Sequence, residues 1–90
     1  MNTIDQLRKW CNGIWLAEVH KDSLIDELAT DSRNIANTAD AMFIAIKTNV
    51  RDGHNYLLQA WQNGVRNFLV SQSIDTSNLQ GANVILVKDT

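Results

Sequence analysis

This 90-residue chain has a single cysteine and four scattered glycines, and it lacks both an excess of basic residues and a long apolar run. Cys11 cannot close an internal disulfide and has no metal-ligand spacing to a second thiol or to His20 or His54, so the expected role is that of a small buried hydrophobe, with neither catalysis nor metal binding. Gly13, Gly53, Gly64 and Gly81 stand far apart, which excludes both the GxxxxGK[ST] phosphate loop and the GxGxxG fingerprint. Eight Lys and Arg against ten Asp and Glu leave a net charge of -2, without the electrostatic footprint of a general nucleic-acid binder. No apolar run approaches about eighteen residues and no charged-then-apolar leader opens the chain. Neither a membrane span nor a signal peptide is expected, and the expected compartment is the cytoplasm.

What is present suits one small globular domain over residues 1–90, near the lower size at which a core of its own can hold. The clearest buried run is Ala41-Met42-Phe43-Ile44-Ala45-Ile46, a six-residue stretch bounded by polar loops that reads as a central strand. Thr3 and Gln6 have capping-box spacing before a short amphipathic helix over 4–11, which Asn12-Gly13 ends with glycine expected in the left-handed position. Residues 14–30 carry a weaker pattern, in which a strand over 25–30 is favoured. Asp52 suits a helix N-cap with His54-Asn55-Tyr56 in the first turn, Leu57, Leu58, Ala60 and Trp61 as the apolar face, and Asn63-Gly64 as the stop. Phe68-Leu69-Val70 and Val84-Ile85-Leu86-Val87 read as further strands, with a polar loop over 72–83 between them. Strand, helix and strand in that order give an α/β fold, with a small mixed or parallel sheet flanked by helices.

The segments on either side of the Ala41–Ile46 run hold the groups suited to a ligand. Arg33, Lys47 and Arg51 supply positive charge, and Ser32, Thr48 and Asn49 supply neutral hydrogen bonds. Asp31 and Asp52 can orient the cations or accept from a hydroxyl or an imide N–H. The composition points to a polar, phosphorylated small molecule. Plainer readings stand beside this one: Arg33 can pair with Asp31 or Asp40 at a strand end, Lys47 and Arg51 can be solubilising surface cations, Asp52 a helix cap, and His54 a packed neutral side chain.

Taken in order, Thr30-Asp31-Ser32-Arg33, the strand Met42-Phe43-Ile44-Ala45-Ile46-Lys47, Asp52-Gly53-His54-Asn55-Tyr56 and Asn63-Gly64-Val65-Arg66-Asn67-Phe68-Leu69-Val70-Ser71 resemble the N-terminal domain of the Mur ligases, which build the peptide stem of bacterial cell-wall precursors. The resemblance covers about residues 25 to 90. Within the family, Ile46-Lys47-Thr48 and Gly64-Val65-Arg66-Asn67-Phe68 are similar to the branch that adds D-alanyl-D-alanine to UDP-N-acetylmuramoyl-tripeptide, including the form fused to an alanine racemase. The family's usual Lys-Gly-Glu after the strand reads Lys47-Thr48-Asn49 here.

The resemblance implies a UDP-recognising domain that uses Asp31, Ser32, Arg33, Lys47, Thr48, Asn49, Arg51, Asp52, Gly53 and His54 on the UDP part of a UDP-N-acetylmuramoyl-peptide. Ser32 would bond the nucleotide and Arg33 would support that corner or its phosphates. It implies further domains in cis that bind ATP and Mg2+ and form the amide bond, so these 90 residues alone would be inactive and hold no cofactor. The alternative from the residues themselves is a non-catalytic module that binds a partner protein through Trp10 and Trp15.

Overall fold

The computed structural model describes residues 2–30, 35–45 and 56–88. In chain order the elements are β1 (Asn2–Thr3), α1 (Ile4–Trp10), β2 (Ile14–Ala17), β3 (Leu24–Ile25), β4 (Glu27–Ala29), β5 (Ala41–Ile44), α2 (Leu57–Gln62), β6 (Asn67–Val70) and β7 (Asn83–Leu86), with short 3-10 turns at Thr38–Asp40 and Thr76–Asn78. β1 and β3 form a small antiparallel pair, and the other strands make a five-stranded sheet in the order β2-β7-β6-β5-β4. From β4 to β7 the neighbours are parallel, while β2 closes the far edge antiparallel to β7 with a register shift between Trp15 and Ala17. The sheet is therefore mixed, within the expected α/β class.

The alternation of side chains along the parallel strands divides the core between the two faces of the sheet, because successive residues of a strand point to opposite sides. Phe43, Phe68, Val70 and Val84 gather on one face with Leu57, Ala60 and Val65 from α2 and the turn after it. Met42, Leu69 and Ile85 point to the other face, against Ile4 from α1 and Ile25. Phe43 and Phe68 meet edge to face, with ring centroids 6.4 Å apart and planes at 68°. A buried aromatic of this kind contributes about 2–3 kcal/mol through area alone. β5 lies between β4 and β6 with Ala41, Met42 and Phe43 buried, so the expected strand is present, but the middle strand is β6, all four residues of which are buried. Ile46, expected at the end of β5, lies outside the described residues.

α1 starts as its sequence predicts. The Thr3 hydroxyl accepts from the Gln6 amide at 3.2 Å, and the Gln6 side chain accepts from the Thr3 amide at 2.9 Å. Its stop differs from expectation. Asn12, not Gly13, takes the left-handed conformation, with φ 55°. The Gly13 amide then reaches back to the Arg8 carbonyl at 2.9 Å and the Asn12 amide to Lys9 at 3.4 Å, which is the Schellman arrangement with asparagine in the left-handed place. Gly13 is required for a different reason: a Cβ there would collide with Cγ2 of Ile85, and would lie 3.3 Å from Val87 Cγ1 and 3.4 Å from the Leu86 carbonyl. Cys11, expected to be buried, is exposed at that helix end, with its thiol donating to the Leu7 carbonyl at 3.1 Å.

α2 ends as expected and begins later. Gly64 has φ 108°, its amide donates to Trp61 at 3.0 Å and that of Val65 to Ala60 at 3.0 Å, while Val65 itself is fully buried. Tyr56 stands at the N-cap, with no side-chain cap bond, instead of in the first turn. The expected cap Asp52 and the first-turn residue His54 lie outside the described residues. Leu57 and Ala60 carry the buried face, whereas Leu58, also expected there, is 46% exposed. Trp61 is half-buried rather than a full core residue: its indole N–H donates to the Gln80 carbonyl at 3.0 Å and the Arg66 guanidinium lies 4.6 Å over its ring.

The strand expected over 25–30 is present but split into β3 and β4, and the weak stretch before it adds β2. β3 pairs with β1, Asp26 donates its amide to the Asp40 carbonyl at 2.9 Å, and β4 joins the main sheet. β2 has little buried surface because it is an edge strand, with Ile14 exposed and the next three residues only partly covered.

Candidate functional site

Parallel strands release the chain at one edge of a sheet, and in open α/β folds ligands bind in the crevice outside those carboxyl ends. Here β4 ends at Ala29 and Thr30, β5 runs on to Ala45, β6 ends at Val70 and Ser71, and β7 ends at Leu86 and Val87. The ladder continues to that edge: the Ala45 amide donates to the Leu69 carbonyl at 2.9 Å, and the Val87 amide to the Val70 carbonyl at 2.8 Å.

Asp31, Ser32 and Arg33, and Lys47, Thr48, Asn49, Arg51, Asp52, Gly53 and His54, all lie outside the described residues. What the fold positions is the pair of strands from which their segments depart. β4 and β5 are adjacent and parallel, with Ala29 opposite Phe43, so the chain enters both segments from the same edge. The return from the first segment is pinned. The Glu27 carboxylate on β4 accepts from the amides of Ala36 at 3.4 Å and Asn37 at 3.2 Å, and the Asn37 side-chain amide donates to the Asp40 carboxylate at 3.2 Å. The residue pattern singled out none of these contacts, since a glutamate in a short strand reads as an ordinary surface charge.

Farther along the same edge, a hollow of about 440 Å³ opens between the ends of β6 and β7 and the start of β2, lined by Asn12 and Ile14, Ser71 to Ser73, and Leu86 to Lys88. These residues read in the sequence only as a helix stop, a polar loop and a strand end. The signal that could have found them is position, because Ser71 and Lys88 are the first polar residues after the apolar runs of two parallel strands.

The opposite edge is sealed by side-chain amides. Asn67 and Asn83, 1% and 2% exposed, are the buried polar residues among those described. Asn83 Nδ2 donates to Asn67 Oδ1 at 2.9 Å and to the His20 carbonyl at 2.9 Å, while Asn83 Oδ1 accepts from the amides of Val19 at 2.8 Å and His20 at 2.9 Å. A hollow there, bounded by Val19 to Ser23, lies on the loop that Asn83 holds.

The two tryptophans of the alternative reading are not alike. Trp10 is 70% exposed, whereas Trp15 is half-buried on the α1 face of the core with the Arg8 guanidinium 5.5 Å from its ring. Among the described residues no group of His, Cys, Asp and Glu is placed to hold a metal ion, and no helix is long and apolar enough to cross a membrane.

No family model and no curated protein matches the chain. Solved structures do. A crystal structure of MurF from Acinetobacter baumannii superposes with a TM-score of 0.75 at 31% identity over 99% of this chain. A second crystal structure of that protein gives 0.73 at 30% identity over 98%. A structure of UDP-N-acetylmuramoylalanyl-D-glutamyl-2,6-diaminopimelate–D-alanyl-D-alanyl ligase from the same organism gives 0.73 at 29% identity over 98%. The chain spans 18% of the length of each of these structures.

Proposed function

The chain belongs to the Mur ligase family, as an N-terminal domain, and from that premise we propose that it is the UDP-binding domain of the cytoplasmic, ATP-dependent ligase that adds D-alanyl-D-alanine to UDP-N-acetylmuramoyl-tripeptide. The observation that carries the reading is the shared carboxyl edge of β4 and β5, from which the chain enters the two segments that hold the family's motifs. In this reading Ser32 bonds the nucleotide, and Arg33, Lys47 and Arg51 meet the negative charge of the pyrophosphate as charge-assisted donors. Thr48 and Asn49 supply neutral hydrogen bonds. Asp31, Asp52 and His54 serve the sugar hydroxyls or orient the cations, and Gly53 lets backbone come close.

ATP and Mg2+ act in further domains in cis, where the tripeptide carboxylate is activated as an acyl phosphate and attacked by the D-alanyl-D-alanine amine. The 90 residues alone therefore have neither ATPase nor ligase activity; either activity in a pure sample would sink the assignment.

Titration of the isotope-labelled chain with UDP tests the reading. Amide shifts concentrated at 31–33 and 47–54 are expected, with weak affinity because the remaining domains contribute contacts and closure. The exposure of Trp10 favours a second reading, a partner-binding module. No response at millimolar UDP, together with self-association abolished by Trp10→Ala, would favour that module instead.

A further inference from the structure

The chain that returns from Asp31, Ser32 and Arg33 towards β5 comes back beside β4, the edge strand of the sheet, and no ladder holds residues 35–40 there. Other contacts hold them instead. Ile35 packs on the α2 face of the core, and Thr38 lies over Gly64 at the end of α2, where an added Cβ would come within 2.8 Å of its Oγ1. The Asp40 carbonyl accepts from the Asp26 amide at 2.9 Å. Between these anchors the half-buried Glu27 spreads its carboxylate over two successive amides, Oε2 accepting from Ala36 at 3.4 Å and Oε1 from Asn37 at 3.2 Å. Ile35 and Thr38 cover side chains, but Glu27 grips the backbone itself and so fixes where the chain comes back. A carboxylate is a poor neighbour for a diphosphate, because like charges repel. What Glu27 contributes to an anion site must therefore pass through the backbone it holds.

We propose that Glu27 is a positioning residue for nucleotide binding, whose carboxylate fixes the returning end of the segment that holds Asp31, Ser32 and Arg33, a proposal that rests on the UDP-binding reading above. The entropy of holding that end is then lost on folding and not on binding, which is the advantage of preorganisation.

UDP titration of the isotope-labelled chain and its variants tests this, because the two roles open to Glu27 differ in sign. Glu27→Ala frees both amides, and binding must then re-fix roughly one residue of backbone, so the dissociation constant for UDP should rise about ten-fold. Glu27→Gln, which keeps the shape and one accepting oxygen, should recover part of that loss. Asn83→Ala, which loosens the far edge of the sheet, should leave UDP affinity unchanged. In the full-length ligase Glu27→Ala should raise KM for the UDP-tripeptide and leave kcat and KM for ATP as they are, the signature of lost ground-state binding. If the parent binds UDP and Glu27→Ala binds it equally well or more tightly, Glu27 is only a surface carboxylate beside an anion, and the UDP reading stands without it. Equal weakening by Asn83→Ala would likewise reduce Glu27 to general stability. A parent chain that does not respond to UDP overturns both the proposal and the reading beneath it.

Discussion

At the amino ends of β6 and β7 two buried asparagines bind each other and clasp the loop at Val19 and His20, whereas at the carboxyl ends of the same strands the chain runs straight into Ser71, Gln72 and Lys88 around an open hollow. Both edges are polar, but the polarity is used differently. At the amino edge every hydrogen-bonding atom of the Asn83 amide is matched inside the protein, which offsets the cost of burying it. At the carboxyl edge Gln72 and Lys88 face solvent. One edge is closed by side-chain amides that tie a loop to the sheet, and the other opens to solvent.

The largest test breaks the sealed edge. Asn83→Ala removes the four bonds of that amide and strands Asn67 Oδ1 and the Val19–His20 peptides. Loss of about 2–4 kcal/mol is expected, read by urea unfolding, with a fall in melting temperature of about 8 °C or more for a domain of this size. UDP affinity, measured where the variant remains folded, should be unchanged. A variant of parental stability would show that the amides are not what holds this edge.

The next test addresses the proposed nucleotide site. Arg33→Ala in the full-length ligase should raise KM for the UDP-tripeptide by roughly ten- to a hundred-fold and leave KM for ATP nearly unchanged, the signature of lost ground-state binding through a charge-assisted hydrogen bond. An unchanged KM with a lowered melting temperature would place Arg33 in a strand-end ion pair, worth at most about 1 kcal/mol.

Helix α1 links the two edges, and Gly13→Ala strains its packing at the open one. Its first turn is tied to the clasped loop, through Ile4 N donating to Ser23 O at 2.8 Å and Asp5 N to Lys21 O at 3.2 Å, and Gly13 beyond its last turn presses on Ile85 and Val87. A methyl there must displace Ile85, at a cost of about 1–3 kcal/mol in thermal or urea unfolding. Asn12→Gly, which relieves a left-handed residue without adding an atom, should be neutral or slightly stabilising. If Gly13→Ala were the harmless one, the close approach would not be what demands glycine.

Residues that act through local geometry were legible in the sequence. The capping box of Thr3 and Gln6 and the Asn63-Gly64-Val65 stop each involve neighbours a few positions apart, and the apolar runs of β5, β6 and β7 show burial on both faces. The features that were not legible depend on partners distant in the chain. Asn83 reads as the end of a polar loop until β7 sets it beside Asn67 and the loop at His20, sixty-three positions away. β2 was hidden because an edge strand buries little, and Gly13 gave the right stop for the wrong reason because its constraint comes from Ile85 across the interface. The proposed nucleotide motif rests only on ordered words that resemble a family, since no spacing rule makes Asp31-Ser32-Arg33 a ligand site.

The smallest expected effect compares two carboxylates, one at the helix that joins the edges and one in the loop between β6 and β7. Asp5 is held below the usual carboxylate range, mainly by the hydrogen bond from Arg8 Nε at 2.9 Å, with Lys9 adding at 3.5 Å. Asp75 is lowered chiefly by the Ser77 backbone amide, which donates to it at 2.9 Å. A carboxyl whose folded pKa is depressed stabilises the protein fully above its unfolded pKa, and the contribution is lost as pH falls through the folded value. Unfolding free energy should therefore decline slightly between about pH 5 and pH 2, and Asp5→Asn and Asp75→Asn should each remove part of that decline. Salt separates them. About 1 M salt should shrink the Asp5 share, because exposed ion pairs are screened, and leave more of the Asp75 share, which is a single short bond to backbone. If salt erases both equally, the Asp75 contribution is long-range charge and not the cap that its distance to Ser77 implies.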